Sequence, residues 1–354
     1  MGEDFFLNKL KYIDKKTLCK YDLSEEFFSN LGIEINDIIP LRKVFVLVTP
    51  SGKKILKIVN STEERLEFID KSLEYIAKKY PNVLSYFKTK KDNICEVWKE
   101  ETYVLLDMID GREAVFSNPV EIEICSKAIA NMHLAGSGLL DIIDENLIHE
   151  NLGENLITSI NDSYEILENI KYNIEKYRYK NEFDKIFMLY VDYNLKQIKK
   201  TLELLAVSDY NSILQDKSKI VLCHNDLAHH NFIVDGEEVK IIDFDYCKVD
   251  TRIIDVANYI RKVVKNFAYD SSKVKLILDS YNSINRLSNE EIKLLYVLLS
   301  FPNDFVTITT DYYYKQKSWD EDVFINRFKT KISNEVYRKE FLDRFITEFK
   351  EYFY

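Results

Sequence analysis

Two pairs of β-rich runs near the start of the chain predict β-hairpins. In residues 44–48 valine alternates with Phe and Leu, and a turn-forming segment, 49–52, separates this run from a second β-rich run, 54–59. Residues 93–99 and 102–108 form a second pair of this kind. Because β-rich runs on either side of a short polar turn are typical of hairpins, we expect four strands here.

A helix is predicted between the two hairpins. Ser61 or Thr62 can cap its start, with acidic residues in the first turn. Apolar residues then recur at helical spacing, at Leu66, Ile69, Leu73 and Ile76. The first 110 residues therefore have α+β character, in the order strand, strand, helix, strand, strand.

From residue 111 onward the pattern is helical almost throughout, with a single β-rich island at 220–249. We therefore expect an α+β protein with two lobes: a small β-rich N-terminal lobe, 1–110, and a large, mostly helical C-terminal lobe, 111–354, joined near residues 108–112. The helices are expected over residues 119–134, 155–206, 252–265, 271–285, 289–300 and 321–349.

Composition narrows the functional classes. The chain has 49 basic and 59 acidic residues, a formal net charge of −10, which argues against nucleic acid as the main partner. No apolar run reaches the roughly 18 residues of a membrane span, and no signal peptide is recognised, so we expect synthesis in the cytoplasm and no membrane partner. The five cysteines are scattered without a CxxC pair, which favours free thiols over a zinc site.

The β-rich island carries the candidate chemistry. An apolar strand leads into the polar loop 224–231, which contains Asp226 and Asn231, and Asp243 follows the apolar pair 241–242. Carboxylate and amide oxygens are the ligands that Mg²⁺ prefers, so Asn231 and Asp243 are candidate metal ligands. Asp226 is then left to accept a proton from an incoming hydroxyl group. Phosphoryl transfer requires such a base together with Mg²⁺ on the phosphates.

The arrangement of these residues resembles that of a known superfamily. The pattern comprises His224-x-Asp226-x4-Asn231, then Ile242-Asp243-Phe244-Asp245, then Asp250-x4-Asp255. It resembles the aminoglycoside phosphotransferase and choline kinase branch of the protein-kinase-like superfamily. The resemblance implies a bilobal kinase-like fold, with ATP and Mg²⁺ as cofactors, a catalytic loop at 224–231 and a metal motif at 243–245.

The same resemblance assigns roles to individual residues. Asp226 would be the catalytic Asp, and Asn231 and Asp243 would bind the metal. Asp255 would brace the backbone of the catalytic loop. The supporting roles fall to His224, as a structural brace of the loop, and to Asp245, which would either help bind a second Mg²⁺ or form local hydrogen bonds.

The N-terminal lobe supplies candidates for nucleotide binding. Lys57 lies on a predicted strand before the helix, where a kinase places the lysine that holds the nucleotide phosphates. Its ion-pair partner is expected on that helix, with Glu63 favoured and Glu67 as the alternative. Residues 105–109, including Met108, would form the adenine-binding hinge, and Arg42 is a candidate phosphate contact on the first hairpin.

A narrower resemblance concerns the CotS-type spore coat proteins, a kinase-like family of endospore-forming bacteria. It rests on segments 103–105, 109–113, 129–133, 301–305 and 312–314, together with Trp319. It implies association with the spore coat and other coat proteins as partners. A protein kinase is disfavoured, because no Ala-Pro-Glu motif follows Asp243 and no room is left for a long activation segment.

Two functional hypotheses remain. The first is an ATP- and Mg²⁺-dependent phosphotransferase that transfers the γ-phosphoryl group to a hydroxyl of a small molecule. The second is a catalytically weak or inactive kinase-like structural component of the spore coat.

Overall fold

The computed structural model describes residues 23–41 and 44–352, and its contacts divide the chain into two compact units. The first unit contains the chain up to Ala114, Leu134–Asn151 and His230–Cys247. The second unit contains Val115–His133, Leu152–His229 and the chain from Lys248 onward. The sequence-based boundary near residue 110 lies close to the first of these divisions. It did not anticipate that two later segments group with the first unit.

An antiparallel sheet of six strands forms most of the first unit. The strand order is β1-β2-β3-β6-β4, and β5 also pairs with β6. Both predicted hairpins and the helix between them are confirmed, whereas β1 was not predicted. The elements are α1 (Glu25–Leu31), β1 (Asp37–Leu41), β2 (Val44–Thr49), β3 (Gly52–Val59), α2 (Glu63–Ala77), β4 (Tyr86–Phe87), β5 (Cys95–Trp98), β6 (Glu101–Asp107) and β7 (Arg112–Glu113).

Each face of this sheet has its own apolar cluster. Leu56 and Tyr103 pack with Phe27 of α1 on one face, whereas Val59 packs with Leu66 of α2 on the other. Because successive side chains of a strand point to opposite faces, Lys57 lies on the same face as Val59. The strand therefore holds this lysine on the α2 side of the sheet.

The remainder of the chain is mostly helical, and the β-rich island is confirmed as two strand pairs. Strands β9 and β10 form an antiparallel hairpin in the first unit, extended by β7, whereas β8 pairs with β11 in the second. The elements are α3 (Pro119–Ala135), α4 (Glu145–Glu150), α5 (Leu156–Glu175), α6 (Glu182–Ala206), α7 (Tyr210–Gln215), β8 (Ile220–Cys223), β9 (Phe232–Asp235), β10 (Glu238–Ile241), β11 (Lys248–Thr251), α8 (Ile253–Val264), α9 (Ser271–Asn282), α10 (Asn289–Ser300), α11 (Asn303–Tyr313) and α12 (Glu321–Glu348).

The helical predictions differ from the structure mainly in continuity. Residues 155–206 form two helices, because Asn181 caps a new helix in a reciprocal pair of hydrogen bonds with Asp184. Helices α4, α7 and α11 were not predicted. Among the described residues no single helix is long and apolar enough to cross a membrane, although α10 and α11 together pass that test with a bend of 46°.

Candidate active site

The backbone of the candidate catalytic loop, 224–231, is held by a buried carboxylate. Strand β8 ends at Cys223, opposite Lys248 of β11, and the loop begins immediately after it. Asp255, fully buried in the first turn of α8, accepts hydrogen bonds from the backbone N–H groups of His224 (2.6 Å) and Asn225 (2.8 Å). Through these two hydrogen bonds Asp255 fixes the start of the loop.

Two buried histidines support the same region. His224 accepts a hydrogen bond at Nδ1 from the backbone N–H of Asp226, 3.2 Å away, which suits the structural role expected of it. His133 contacts Asp255 through Nε2 (3.1 Å) and the hydroxyl of Tyr281 through Nδ1 (2.8 Å). His133, Cys223 and Asp255 lie close enough together to hold a metal ion. The bonds of Asp255 to the loop backbone indicate instead that this group is a structural network.

Asp226 is more accessible than Asp255 and has a basic neighbour. Its Oδ1 lies 2.9 Å from Nζ of Lys262 on α8, and the two side chains are 28% and 37% exposed. Lys262 was missed from the sequence. The sequence does contain a pattern that points to Lys262. Polar residues recur there at helical spacing and form a stripe along one helix: Asp255, Asn258, Lys262 and Lys265.

The β9–β10 hairpin brings the two candidate metal ligands to neighbouring backbone positions. Its register pairs Phe232 with Ile241, and the next residues continue the pairing, since the Ile242 N–H donates to the Asn231 carbonyl oxygen at 3.0 Å. Asp243 follows at once, with a left-handed φ of 67°. The donor set of amide and carboxylate oxygens, fixed by this hairpin, fits the preference of Mg²⁺.

Lys57 joins this cluster from strand β3. Its Nζ lies 2.7 Å from Asp243 Oδ1 and 2.7 Å from Asp245 Oδ2, and its side chain is 19% exposed. Burial alone would lower the pKa of Lys57, but the carboxylates of Asp245 and Asp243 outweigh burial and raise it. The ammonium group therefore stays charged between two carboxylates. We call Lys57, Asp243 and Asp245 the lysine cluster.

The expected ion pair between Lys57 and the following helix is corrected by the structure. The partners of Lys57 are Asp243 and Asp245, whereas Glu63 is exposed at the first position of α2 and Glu67 pairs with Lys71 one turn further on. The partners differ because the segment 230–247 packs beside strand β3 and places two of its carboxylates at Lys57.

A second residue of α2, missed from the sequence, connects the helix to the metal motif. The Arg65 guanidinium donates to the backbone carbonyls of Asp245 (3.0 Å) and Cys247 and to the side chain of Asn151. Arg65 precedes Ile69 by one helical turn on the apolar stripe of the helix, and a basic residue at such a position is a detectable signal.

Two further candidates, Met108 and Arg42, are not found in the lysine cluster. The Met108 N–H donates to the Lys53 carbonyl oxygen (3.1 Å), and Met108 lines a cavity of about 580 Å³ that the β9–β10 hairpin also borders. Lys57, Asn231 and Asp243 are not among the described residues that line this cavity. Arg42 lies outside the described residues.

The fold and these residues define a kinase-like protein. Among solved structures, the chain is similar to an aminoglycoside phosphotransferase from Alicyclobacillus acidocaldarius, with a TM-score of 0.79, 15% identity, and coverage of 93% of this chain and 97% of that one. It is also similar to a spectinomycin phosphotransferase in complex with ADP and spectinomycin, with a TM-score of 0.64, 16% identity, and coverage of 89% and 98%. These similarities confirm the kinase-like fold.

The chain belongs to the family described as "Spore coat putative kinase YutH", whose family model matches residues 24–345. It is 24% identical to spore coat protein S of Bacillus subtilis over 318 residues, and this aligned region covers 86% of each chain. The resemblance to spore coat proteins stated from the sequence is thereby confirmed.

Proposed function

We propose that this protein is an ATP- and Mg²⁺-dependent phosphotransferase that transfers the γ-phosphoryl group to a hydroxyl of a small molecule and is associated with the spore coat. The observation that carries the proposal is the lysine cluster, in which Lys57 lies 2.7 Å from the carboxylate of Asp243. A lysine on a sheet strand beside a metal-binding carboxylate is the pair with which kinases hold nucleotide phosphates. ADP in the spectinomycin phosphotransferase complex is consistent with a nucleotide ligand.

The chemistry assigns one task to each group. Lys57 would bind the nucleotide phosphates, and Asn231 and Asp243 would hold Mg²⁺, which supplies charge neutralisation on those phosphates. Asp226 would accept the proton of the acceptor hydroxyl. The acceptor oxygen then forms a bond to the γ-phosphorus, the bond from that phosphorus to the bridging oxygen breaks, and ADP leaves with the electron pair.

The first test is the melting temperature of the protein with and without Mg·ATP. At a concentration about 100 times its dissociation constant, the ligand should stabilise the native state by about 2.7 kcal/mol, a shift of roughly a few degrees for a chain of this size. Asp243→Asn should lose the Mg²⁺-dependent shift, whereas Asp162→Asn, the same change at an exposed position of α5, should keep it. No shift in the wild type at millimolar Mg·ATP contradicts the proposal.

A second candidate function is a kinase-like coat component that transfers nothing. The family match and the similarity to spore coat protein S favour it. Turnover separates the two candidates. A structural component binds Mg·ATP without producing ADP or a phosphorylated acceptor, whereas an enzyme produces both in equal amounts.

A further inference from the structure

A cavity of about 510 Å³ lies within the second unit, and its size suits a small-molecule ligand. Its lining comes from α6, α8, α11 and α12, with further residues from the end of α10 and from the segments that follow α8 and α10. It includes two carboxylates, Asp304 and Glu335, and three tyrosines. It also includes six cationic side chains: Arg261, Lys262, Lys265, Lys331, Arg338 and Lys339.

Four of the six cations are neutralised by carboxylates of their own. Each forms an ion pair within the second unit, so each pair adds no net charge to the cavity. The pairs are Lys262 with Asp226, Lys331 with Asp304, Arg338 with Glu335, and Lys339 with Asp343.

Among the described residues the other two cations form no ion pair, although the carboxylate of Asp304 is an electrostatic neighbour of both. In the described part of the chain, the structure gives Arg261 hydrogen bonds to neutral oxygens of Asn258 and Leu298, and it gives the Lys265 ammonium neither a hydrogen bond nor an ion pair. Both side chains are partly buried. Burial lowers the pKa of Arg261 to about 10, and burial together with the neighbouring Lys262 lowers the pKa of Lys265. The six cationic side chains and the four carboxylates paired with them leave the cavity lining with an excess of cationic groups.

The cavity is connected to the candidate catalytic base by one residue. Lys262 lines the cavity, and its Nζ lies 2.9 Å from Asp226 Oδ1. A molecule in the cavity that contacts Lys262 would thus be next to the group that receives the proton from the acceptor hydroxyl.

We infer that the phosphoryl acceptor is an anionic, hydroxyl-bearing small molecule, a hydroxy carboxylate or a phosphate ester, whose acidic group binds Arg261 and Lys265. This inference rests on the proposed function and names its acceptor class. An aminoglycoside, which carries several amino groups, would instead be a cationic acceptor. A cationic acceptor would add positive charge to a cavity that already holds an excess of it.

The inference is tested first by calorimetric titration of the full chain without nucleotide. The probes are D-gluconate and glycerol 3-phosphate as acids, glucose as a neutral compound, and choline and kanamycin as cations. We expect saturable binding of at least one acid that weakens with rising salt concentration. Binding of gluconate alone would identify the acidic group of the acceptor as a carboxylate. Binding of glycerol 3-phosphate alone would identify it as a phosphate. Tighter binding of choline or kanamycin, or no saturable binding of either acid at tens of millimolar, overturns the inference.

Variants at Lys265 make the test specific. Lys265→Met should weaken acid binding by about tenfold or more, because a charge-assisted contact is lost, and Lys265→Glu should abolish it. Lys196→Met, the same change at an exposed position of α6, should leave binding unchanged. Equal binding by wild type and both Lys265 variants, with native circular dichroism, overturns the assignment to this cavity.

The acceptor role is tested separately. An acid that binds is supplied with Mg·ATP, and its phosphorylation is followed by mass spectrometry. Transfer to its hydroxyl supports the inference. If the protein phosphorylates a cationic acceptor and leaves every bound acid unmodified, the inference fails while the proposed function stands. If no nucleotide binds, the proposed function fails, and the acid titration still reports whether the cavity selects anions.

Discussion

The carboxylates of Asp226 and Asp255 belong to the same unit but have surroundings that suit different tasks. Asp255 is fully buried and accepts two backbone N–H groups of the loop. Asp226 is 28% exposed and has Lys262 at 2.9 Å. Of the two, Asp226 is therefore the residue we propose to accept the proton of an incoming hydroxyl, and Asp255 is proposed as a positioning residue.

Replacing Asp226 separates binding from transfer. We expect Asp226→Asn to lower kcat by about 10²–10⁴-fold, because the amide cannot accept the proton. The Mg·ATP-dependent shift in melting temperature should be retained. Asp162→Asn, at an exposed position, serves as the control. Unchanged turnover in Asp226→Asn would remove Asp226 from the catalytic role.

At the residue scale, the sequence was a better guide to which residues are candidates for the site than to which side chains they contact. Lys57 was recognised from its strand and from the helix that follows, both local signals. Its partners, Asp243 and Asp245, lie 186 and 188 positions away along the chain. No local pattern specifies such a pairing, because it depends on how a distant hairpin packs.

At the scale of elements, Arg65 connects α2 to the segment after β10. Its guanidinium donates to the Asp245 and Cys247 carbonyls and to Asn151. We expect Arg65→Met to lower the free energy of unfolding by about 1–3 kcal/mol, because these partly buried acceptors lose their donor. Urea unfolding measures the change. Arg178→Met, on the segment between α5 and α6, should change stability by less than about 0.5 kcal/mol.

A pH effect is expected where β11 meets the start of α5. Burial raises the pKa of Asp250 to about 6, from an ordinary value of 3.8, although the Thr251 N–H donates to its carboxylate at 2.6 Å. The carboxylate also contacts Gly153, where an added Cβ would lie 1.9 Å from Oδ2. The folded state therefore binds the Asp250 proton more tightly than the unfolded state. Through this group, stability falls as pH rises from about 4 to about 6 and is constant above that.

Asp250→Asn tests this assignment. The amide stays neutral, so the variant should be more stable than wild type by about 2–3 kcal/mol at pH 8, with the difference disappearing near pH 4. Urea unfolding of both proteins across this range measures it, with Asp162→Asn as control. A stability difference that is independent of pH would show that the ionisation of Asp250 is not the cause.

Elements with strong local signals were the ones predicted. Helix α2 was recognised from its cap and apolar spacing, and Thr62 does accept the Arg65 N–H at 3.3 Å. Strand β1 was missed because Pro40 interrupts a short segment without alternation. It is formed by pairing with β2, which is a property of the sheet and not of its own residues.

At the scale of the whole molecule, the two units divide the proposed machinery. Lys57, Asn231 and Asp243 belong to the first unit, and Asp226 and the cationic cavity belong to the second. The division falls within the catalytic loop, between His229 and His230. A contiguous sequence motif thus contributes residues to both units.

This division predicts separate responses to the two ligands. Mg·ATP alone should slow amide hydrogen exchange in β3 and in the β9–β10 hairpin, because binding suppresses local opening there. A bound acid alone should slow exchange in α8 and α12. Mass spectrometry of the exchanged protein measures both, and Asp243→Asn should lose only the first effect. Identical protection patterns from the two ligands would contradict the division.

The lysine cluster has a consequence for how nucleotide binding depends on the metal. One ammonium and two carboxylates leave a net charge of −1 on Lys57, Asp243 and Asp245. A nucleoside triphosphate is itself a polyanion and is repelled by this charge, whereas a divalent cation reverses its sign. The nucleotide is therefore expected to bind only together with the metal. The protein would then respond to the magnesium-bound fraction of the nucleotide in the cell and not to the total pool.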